Sequence, residues 1–396
     1  MLPFYVTQPN VISAQSCSNK NSISMNAKKW DIKLSEPTLR PWEPKKSRSK
    51  LIAVLMSGGV DSSVTAHILK EKGWDVLGIT MKVPVFSDTH KEGFSGADVK
   101  LVCKELDIPH YFIDVTEPFE KLIIKRFHQS YTKGETPNPC VDCNTLIKFS
   151  LVWDFIEKNF GIHSLATGHY ARISKNSERV CLGMAKDKTK DQSYFLYGIA
   201  LEKLPGLILP IGELTKDEVR SIAAQLNLPV ANRSESMELC FAGQGDYRAA
   251  LNLAQTDTEG YITDMRGNKI AEHKGIANYT LGQRQGIGFA GGRPLYVAKI
   301  NAETNTIALG TREDVSTSTI SADAINVLIQ EEFIEGRSFF GKIRSYGTPQ
   351  QCSLINLGQT DMTVEFDEPQ FAPCPGQKLV LYNSDENIVA GGTIIS

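Results

Sequence analysis

Leu51–Leu55 is an unbroken apolar run and predicts a buried strand. From Ser62 to Lys72 the apolar positions Val64, Ala66, Ile68 and Leu69 recur at helical spacing. The alternation continues. Trp74–Val83 and His110–Val115 read as strands, and Gly96–Ile108, Phe119–Lys133 and Ile147–Asn159 as helices. Ser164–Ala171 reads as a further strand running into a loop. Strands alternating with helices predict an open parallel sheet covered on both faces, with ligands at the carboxyl ends of its strands. Leu214–Val230 is a helix, with Thr215 as N-cap and Glu218 completing a capping box. Beyond about Gly260 the period shortens. Segments such as LYVAKINAETNTIALG, FGKIRSY, MTVEFDEP and QKLVLYN, punctuated by Gly, Pro and Asn, predict antiparallel β structure in one or two small barrels.

Composition narrows this picture only slightly. The chain has 396 residues, enough for two or three domains. No apolar run approaches the roughly 18 residues needed to span a bilayer. The formal net charge of -2 points to no polyanionic partner, so any nucleic-acid contact requires a local basic face. Eight cysteines are too sparse for a disulfide scaffold and indicate a reducing compartment with special roles for any clustered thiols. Residues 1–50 stand apart and are expected to be disordered. Met1–Trp30 lacks Asp and Glu and is rich in Ser and Asn, and KKSRSK closes the segment. That is compatible with an organellar transit peptide, although the first 30 residues contain no Arg, or with a tail preceding a start at Met25. The expected location is the cytoplasm, or an organelle if the segment is a transit peptide.

The strand-to-helix turn after Leu55 reads SGGVDSS, Ser57 to Ser63. Gly58 and Gly59 let the backbone approach an anion. The helix N-terminus beginning near Val60 supplies free N–H groups, and the hydroxyls of Ser57, Ser62 and Ser63 can donate more. No Gly-Lys-Ser/Thr follows, so this is not a Walker A loop. A loop without lysine suits a pyrophosphate that leaves with Mg²⁺. Two glycines alone would mark a tight turn, with Asp61 as an acid at the helix start. The whole string is similar to the ATP-pyrophosphatase signature, whose bearers use ATP to adenylate an oxygen.

Cys140 and Cys143 form a C-x-x-C in TPNPCVDCNTLIKF, and Cys240 lies in SESMELCFAGQGDY. Alone, the pair is open to redox, metal or nucleophile roles, and Cys240 beside Phe241 to a plain core position. No second pair at zinc-finger spacing accompanies them.

In combination, SGGVDSS, TPNPCVDCN, ATGHYAR (Ala166–Arg172), DQSYFL (Asp191–Leu196), SESMELCF, HKGIANYTLGQRQGIG (His273–Gly288), FDEPQ and PGQ occur in an order that closely resembles the tRNA-specific 2-thiouridylases of the MnmA type. The resemblance runs from about Leu51 to Ile395. It implies ATP-dependent thiolation at C2 of the wobble uridine of tRNA. It implies a doubly wound parallel-sheet ATP-pyrophosphatase domain (51–209), a small, partly helical central domain (210–272) and a C-terminal antiparallel β-barrel that holds tRNA (273–396). Cys240 would carry a persulfide sulfur received from a carrier protein, and Cys143 would be the second thiol, leaving a Cys143–Cys240 disulfide to be reduced. Leu55, Met56, the Ser57–Ser63 loop, Met81 and Gly168 would form the ATP site, with Mg²⁺. Asn138, Pro139 and Cys140 would hold the target base. His169, Lys190, Asp191, Gln192, Ser193, Arg344, Ser345 and Gln377 would contact the anticodon stem-loop. The chain is expected to act as a monomer, away from membranes.

Two departures matter. Cys140 stands where many members of the family have Asp. A third thiol opens a second route, in which Cys140, Cys143 and Cys240 ligate a [4Fe-4S] cluster that delivers sulfide. Met237-Glu238 stands where the family often has Gln-Asp. Rival readings are another adenylating ligase of the same loop type, acting on citrulline or a purine, and a non-catalytic tRNA- or metal-binding relative.

Overall fold

The computed structural model describes residues 30–44, 50–84, 96–175, 179–231, 239–241, 258–289 and 292–395. Its first unit is a six-stranded sheet. The strands are β1 (Lys33–Leu34), β2 (Lys50–Leu55), β3 (Trp74–Lys82), β4 (His110–Asp114), β5 (Leu165–Thr167) and β8 (Leu207–Ile208), in the order β1-β4-β3-β2-β5-β8. All pair in parallel except β1. A β6–β7 hairpin (Ala171–Lys175, Val180–Met184) stands beside it.

The near-continuous apolar strands follow from burial of both faces. Ala53, Leu55, Leu77 and Ile79 pack on one side against the helices between Thr116 and Phe160. Ile52, Val54, Met56 and Val76 pack on the other against α1 (Val60–Glu71) and α2 (Gly96–Glu105). The helix Lys216–Gln225 starts from the expected capping box and joins this second layer through Val219 and Ala223. It is the side chains of this helix that reach back to the first domain, a relation the local pattern does not encode.

Residues 1–50 were expected to be disordered as a whole, and residues 30–44 correct that expectation. Lys33 and Leu34 pair antiparallel with Asp114 and Ile113, and Trp30, Ile32 and Trp42 pack on the core. The segment covers what would otherwise be an open sheet edge. Nothing is described for residues 1–29 and 45–49.

Beyond residue 258, β9 (Gly260–Asp264), β10 (Lys269–His273), β11 (Tyr296–Asn301) and β12 (Thr306–Gly310) form a small sheet in the order β10-β9-β12-β11. It has its own core of Ile262, Ile287, Val297, Ile307 and Leu309. A closed six-stranded barrel follows, built from β13 (Ser316–Val327), β14 (Ser338–Lys342), β15 (Gln350–Leu357), β16 (Asp361–Phe371), β17 (Lys378–Tyr382) and β18 (Ile388–Ile394). Closure removes all strand edges. The barrel is not a loose appendage, because Val380, Tyr382 and Ile388 share one apolar cluster with the first domain. No described helix is long and apolar enough to cross a membrane.

Candidate active site

The sheet reverses its strand order between β2 and β5, and such a switch point is where an open α/β sheet offers a ligand crevice. Leu55 and Met56 end β2 at this point, both buried. Ser57–Ser63 turns from β2 into α1, with Gly58 at φ 74°, a left-handed conformation that suits glycine. The Ser62 and Ser63 hydroxyls donate to the Gly59 carbonyl at 3.1 and 2.9 Å and brace the turn. Gly168, just past β5, lies so close that a Cβ there would stand 2.7 Å from the Ser62 nitrogen. Met81 lies two residues beyond Ile79, the β3 partner of Leu55. The expected ATP-site residues are thus drawn to one end of the sheet.

One member of this site escaped the sequence reading. The loop has no lysine of its own, but Lys216, the first residue of its helix, supplies one. Its Nζ lies 2.8 and 2.9 Å from the two Asp61 carboxylate oxygens, and the residue is only 8% exposed. Tyr170 donates its hydroxyl to Asp61 at 2.9 Å. A lysine at the positive end of a helix is electrostatically misplaced unless an anion is near, and that misfit was the signal available in the sequence.

The cysteine segment is built by a helix running over residues 139–160. Asn138 caps it by accepting from Val141 N–H at 3.3 Å, and Pro139 occupies the first turn. From Cys143 to Val152 the winding is of the wide π type. Such i→i+5 winding is rare and tends to mark functional segments of a helix. Lys148 Nζ donates to Asn144 Oδ1 at 2.9 Å, and the buried Asn144 in turn donates to the Phe195 carbonyl. The Lys148 ammonium acts on Cys140, Cys143, Cys240 and His169 alike. It is the second residue that sequence reasoning missed, detectable as a lone charge in the run TLIKFSLV.

Cys240 is exposed, whereas Phe241 is buried against Phe119 and Phe127 at ring separations of 5.8 and 5.7 Å. The phenyl ring anchors the segment. Cys143 is buried and Cys140 exposed, and the three thiols lie close enough to act on one another electrostatically. Burial pushes the Cys143 thiol up to about 12, with Lys148 opposing the rise. Cys143 therefore rests as a thiol near neutral pH. Alkylation of Cys143, followed by mass spectrometry, is expected to quicken about tenfold per pH unit through pH 10. In Lys148→Met it should be slower by about tenfold at each pH. A pH-independent rate in the wild type would contradict this environment.

Thr167, Gly168 and His169 link the two halves. Gly168 touches the Ser57–Ser63 turn, and His169 lies beside Phe149 at a ring distance of 6.0 Å. His169 Nδ1 is 2.7 Å from Thr167 Oγ1, and burial together with Lys148 holds its pKa well below the usual histidine range, so the ring is neutral.

The residues expected to hold tRNA fall into two groups. Gln377 donates to the Thr136 and Pro137 carbonyls at 3.0 and 3.3 Å and thereby docks the barrel on the cysteine loop. Arg344, exposed, donates to the Phe371 and Ala372 carbonyls, with Ser345 beside it. Tyr346, next in line and 75% exposed, offers the flat face on which unpaired bases stack. Asp191 and Ser193, by contrast, are turned inward. Asp191 accepts from Ala185 N–H and Ser193, and sits 3.7 Å from the buried Lys342 ammonium. Ser193 also bonds Tyr382 of the barrel at 3.0 Å. Gln192 accepts from Tyr170 N–H at 3.0 Å, and Lys190 N–H bonds the Asp187 carbonyl. In this conformation the 190–193 segment welds the first domain to the barrel. Asp191→Ala is expected to cost on the order of 3 kcal/mol, because it strands a buried Lys342, and differential scanning calorimetry would register it as a lower Tm. Met237 and Glu238 lie outside the described residues.

Among the described residues no group of three Cys, His, Asp or Glu side chains is arranged to hold a metal ion.

One loop of the sheet joins the glycine-rich turn to the cysteine-bearing helix, an arrangement that fits the class of nucleotide-dependent, sulfur-handling α/β proteins. Family comparisons agree. Residues 50–244 match the tRNA methyl transferase HUP domain, 249–311 the tRNA methyl transferase PRC-barrel domain, and 317–395 the aminomethyltransferase β-barrel domain. The tRNA-specific 2-thiouridylase MnmA of Lachnoclostridium phytofermentans is 38% identical over 358 residues, 87% of this chain and 99% of that protein. MnmA 1 of Caldanaerobacter subterraneus subsp. tengcongensis is 40% identical over 358 residues, 87% of this chain and 97% of that one. This chain belongs to the tRNA-specific 2-thiouridylase family. Among solved structures, the U34-tRNA thiolase NcsA from Methanococcus maripaludis with its [4Fe-4S] cluster covers 52% of this chain and 68% of its own, at 20% identity and a TM-score of 0.33. A score that low adds nothing to the assignment.

Proposed function

We propose that this protein is a tRNA-uridine 2-sulfurtransferase, which replaces the C2 oxygen of the wobble uridine by sulfur and converts ATP to AMP and pyrophosphate. The observation that carries the reading, beside family membership, is the loop Thr167–His169, which touches the Ser57–Ser63 turn at Gly168 and lies at His169 beside Phe149 of the cysteine-bearing helix.

The chemistry follows from the residues. A pyrimidine carbonyl is a poor electrophile, and its O2 must first be made a leaving group. ATP does this when O2 attacks the α-phosphate and pyrophosphate departs. The Ser57–Ser63 turn and Lys216 hold the phosphates, and positioning and charge neutralisation supply most of the catalysis. Mg²⁺ asks for one or two carboxylates plus phosphate oxygens, and Asp61 fits that demand. Its chemistry would be to neutralise charge on the departing pyrophosphate.

Cys240 then brings the sulfur as a persulfide loaded by a protein donor. Its terminal sulfur attacks C2, the C2–O bond breaks, and AMP leaves with the former O2. The uridine is now joined through a disulfide to Cys240. The Cys143 thiolate attacks the Cys240 sulfur, releases 2-thiouridine and forms a Cys143–Cys240 disulfide. A thiol reductant supplying two electrons resets the pair. Lys148 stabilises the thiolate that Cys143 must become, against the burial that opposes it. The target base must leave its stack to reach the thiols, and we assign Asn138, Pro139 and Cys140 to holding it. We place the reaction in a reducing aqueous compartment and assign it to a monomer.

The test is single-turnover thiolation of an unmodified tRNA by anaerobically purified protein, with iron and labile sulfide measured on the same sample. Iron-free protein that thiolates tRNA from a persulfide donor supports the route. Activity that tracks cluster content, with sulfide as donor, overturns the persulfide step. Failure of both preparations overturns the substrate assignment and returns the rival ligases to consideration.

A further inference from the structure

The small sheet carries a cavity that the thiolation chemistry does not use. It has a volume of about 380 Å³ and lies between Arg284 and Arg293, over Ile287, Phe289 and Leu295. That is within the size range of sites that take a small ligand or a single nucleotide. Ile287 is buried, Phe289 and Leu295 are half-buried, and both arginines are exposed. The turn that presents Arg284 is held by Gln283, which accepts from Thr280 N–H at 3.0 Å and donates to the Gln285 carbonyl at 2.9 Å. Asp314 is the acid that feels Arg293, and its carboxylate is already bonded to Thr311 N–H and hydroxyl at 2.7 and 3.0 Å.

We infer that this pocket binds one nucleotide of the tRNA outside the target uridine, its phosphate on Arg284 and Arg293 and its base on Phe289. The inference rests on the thiolation reading for its substrate. Planar guanidinium forks match phosphate oxygens, and a half-buried phenyl ring matches a base face. Continuity with the active site selects a polymer rather than a free nucleotide. Gly282, two residues before Arg284, packs on Phe371 and Ala372. Arg344 grips the carbonyls of those same two residues, and Gln377 ties the following turn to Thr136 and Pro137, beside the cysteine helix. One RNA lying along this path would meet both the pocket and the thiols.

The test is fluorescence anisotropy of the full-length protein with an unmodified tRNA transcript at several salt concentrations. Wild type is compared with Arg284→Ala/Arg293→Ala and with Arg284→Lys/Arg293→Lys. The alanine pair is expected to weaken binding about tenfold near physiological salt and to reduce the slope of log K against log salt by about one, for the one phosphate that the two arginines share. The lysine pair should recover the slope, and thiolation at saturating tRNA should keep its wild-type rate in both. Unchanged affinity in the alanine pair overturns the inference, as does lost affinity with an unchanged slope. So does calorimetric binding of AMP or inorganic phosphate that needs the arginines while tRNA affinity does not. Wild-type protein that binds no tRNA at all overturns the thiolation reading itself.

Discussion

Cys240→Ser is expected to abolish sulfur transfer to tRNA, by at least about 10⁴-fold, while tRNA-dependent release of pyrophosphate continues. A serine oxygen carries no sulfane sulfur, so this position can no longer deliver it. On the proposed route adenylation rests on Ser57–Ser63, Asp61 and Lys216, which belong to a different part of the site. Folding should survive, because Cys240 is exposed and the anchor of its segment is the neighbouring Phe241. Cys143→Ser should fail differently. Persulfide still loads on Cys240 and the first bond to C2 still forms, but the linking disulfide persists. The tRNA should then remain attached to the protein until a thiol reductant is added, which a denaturing gel run with and without reductant reads directly. Cys140→Ser should thiolate at close to the wild-type rate, since a two-thiol route leaves it no electrons to carry. A Cys140→Ser variant as inactive as Cys240→Ser, with iron lost in parallel, would sink the persulfide mechanism.

The turn after β2 was legible in the sequence because its chemistry is local. A short apolar strand, Ser-Gly-Gly and a helix start are contiguous, and each constrains the next. The sheet was legible for the same reason, since its strands are apolar on both faces and its helices amphipathic. What was not legible depends on long-range folding. Lys216 stands 155 positions from Asp61, and only the packing of its helix on α1 brings them together. Lys148 reads as a lone helix charge until folding sets it beside residues as distant in sequence as His169 and Cys240. The family resemblance gave Asp191 and Ser193 to tRNA, but the structure turns them toward Lys342 and Tyr382. Short polar side chains read alike in a solvated loop and in a domain seam until the partner surface is known. Residues 30–44 illustrate the same limit in the opposite direction. Their composition suggested a tail, yet Trp30, Ile32 and Trp42 found the exposed flank of the sheet.

Lys216→Met is expected to reduce the tRNA-dependent release of pyrophosphate by about 10²–10³-fold, the loss that follows removal of one preorganised donor from a developing charge. Pyrophosphate departs with several negative charges, and the turn itself offers only N–H groups and hydroxyls to receive them. Lys216 is the cation at hand, fixed within 2.9 Å of Asp61 before ATP arrives. Asp61 and Tyr170 hold it in position, and Asp61 would be the carboxylate to hold Mg²⁺, which would neutralise charge on the phosphates. The loss should therefore fall mainly on kcat, with a smaller rise in KM for ATP. Tyr170→Phe removes only the hydroxyl that orients Asp61 and should cost much less. A purely structural role would look different: Lys216→Met would lower Tm and the active fraction together, and the folded remainder would turn over at the wild-type kcat. Pyrophosphate release measured against titrated active sites separates the two. A wild-type kcat per folded molecule, or full recovery at high ATP, would remove Lys216 from the adenylation step and leave the turn to carry the leaving charge without a lysine.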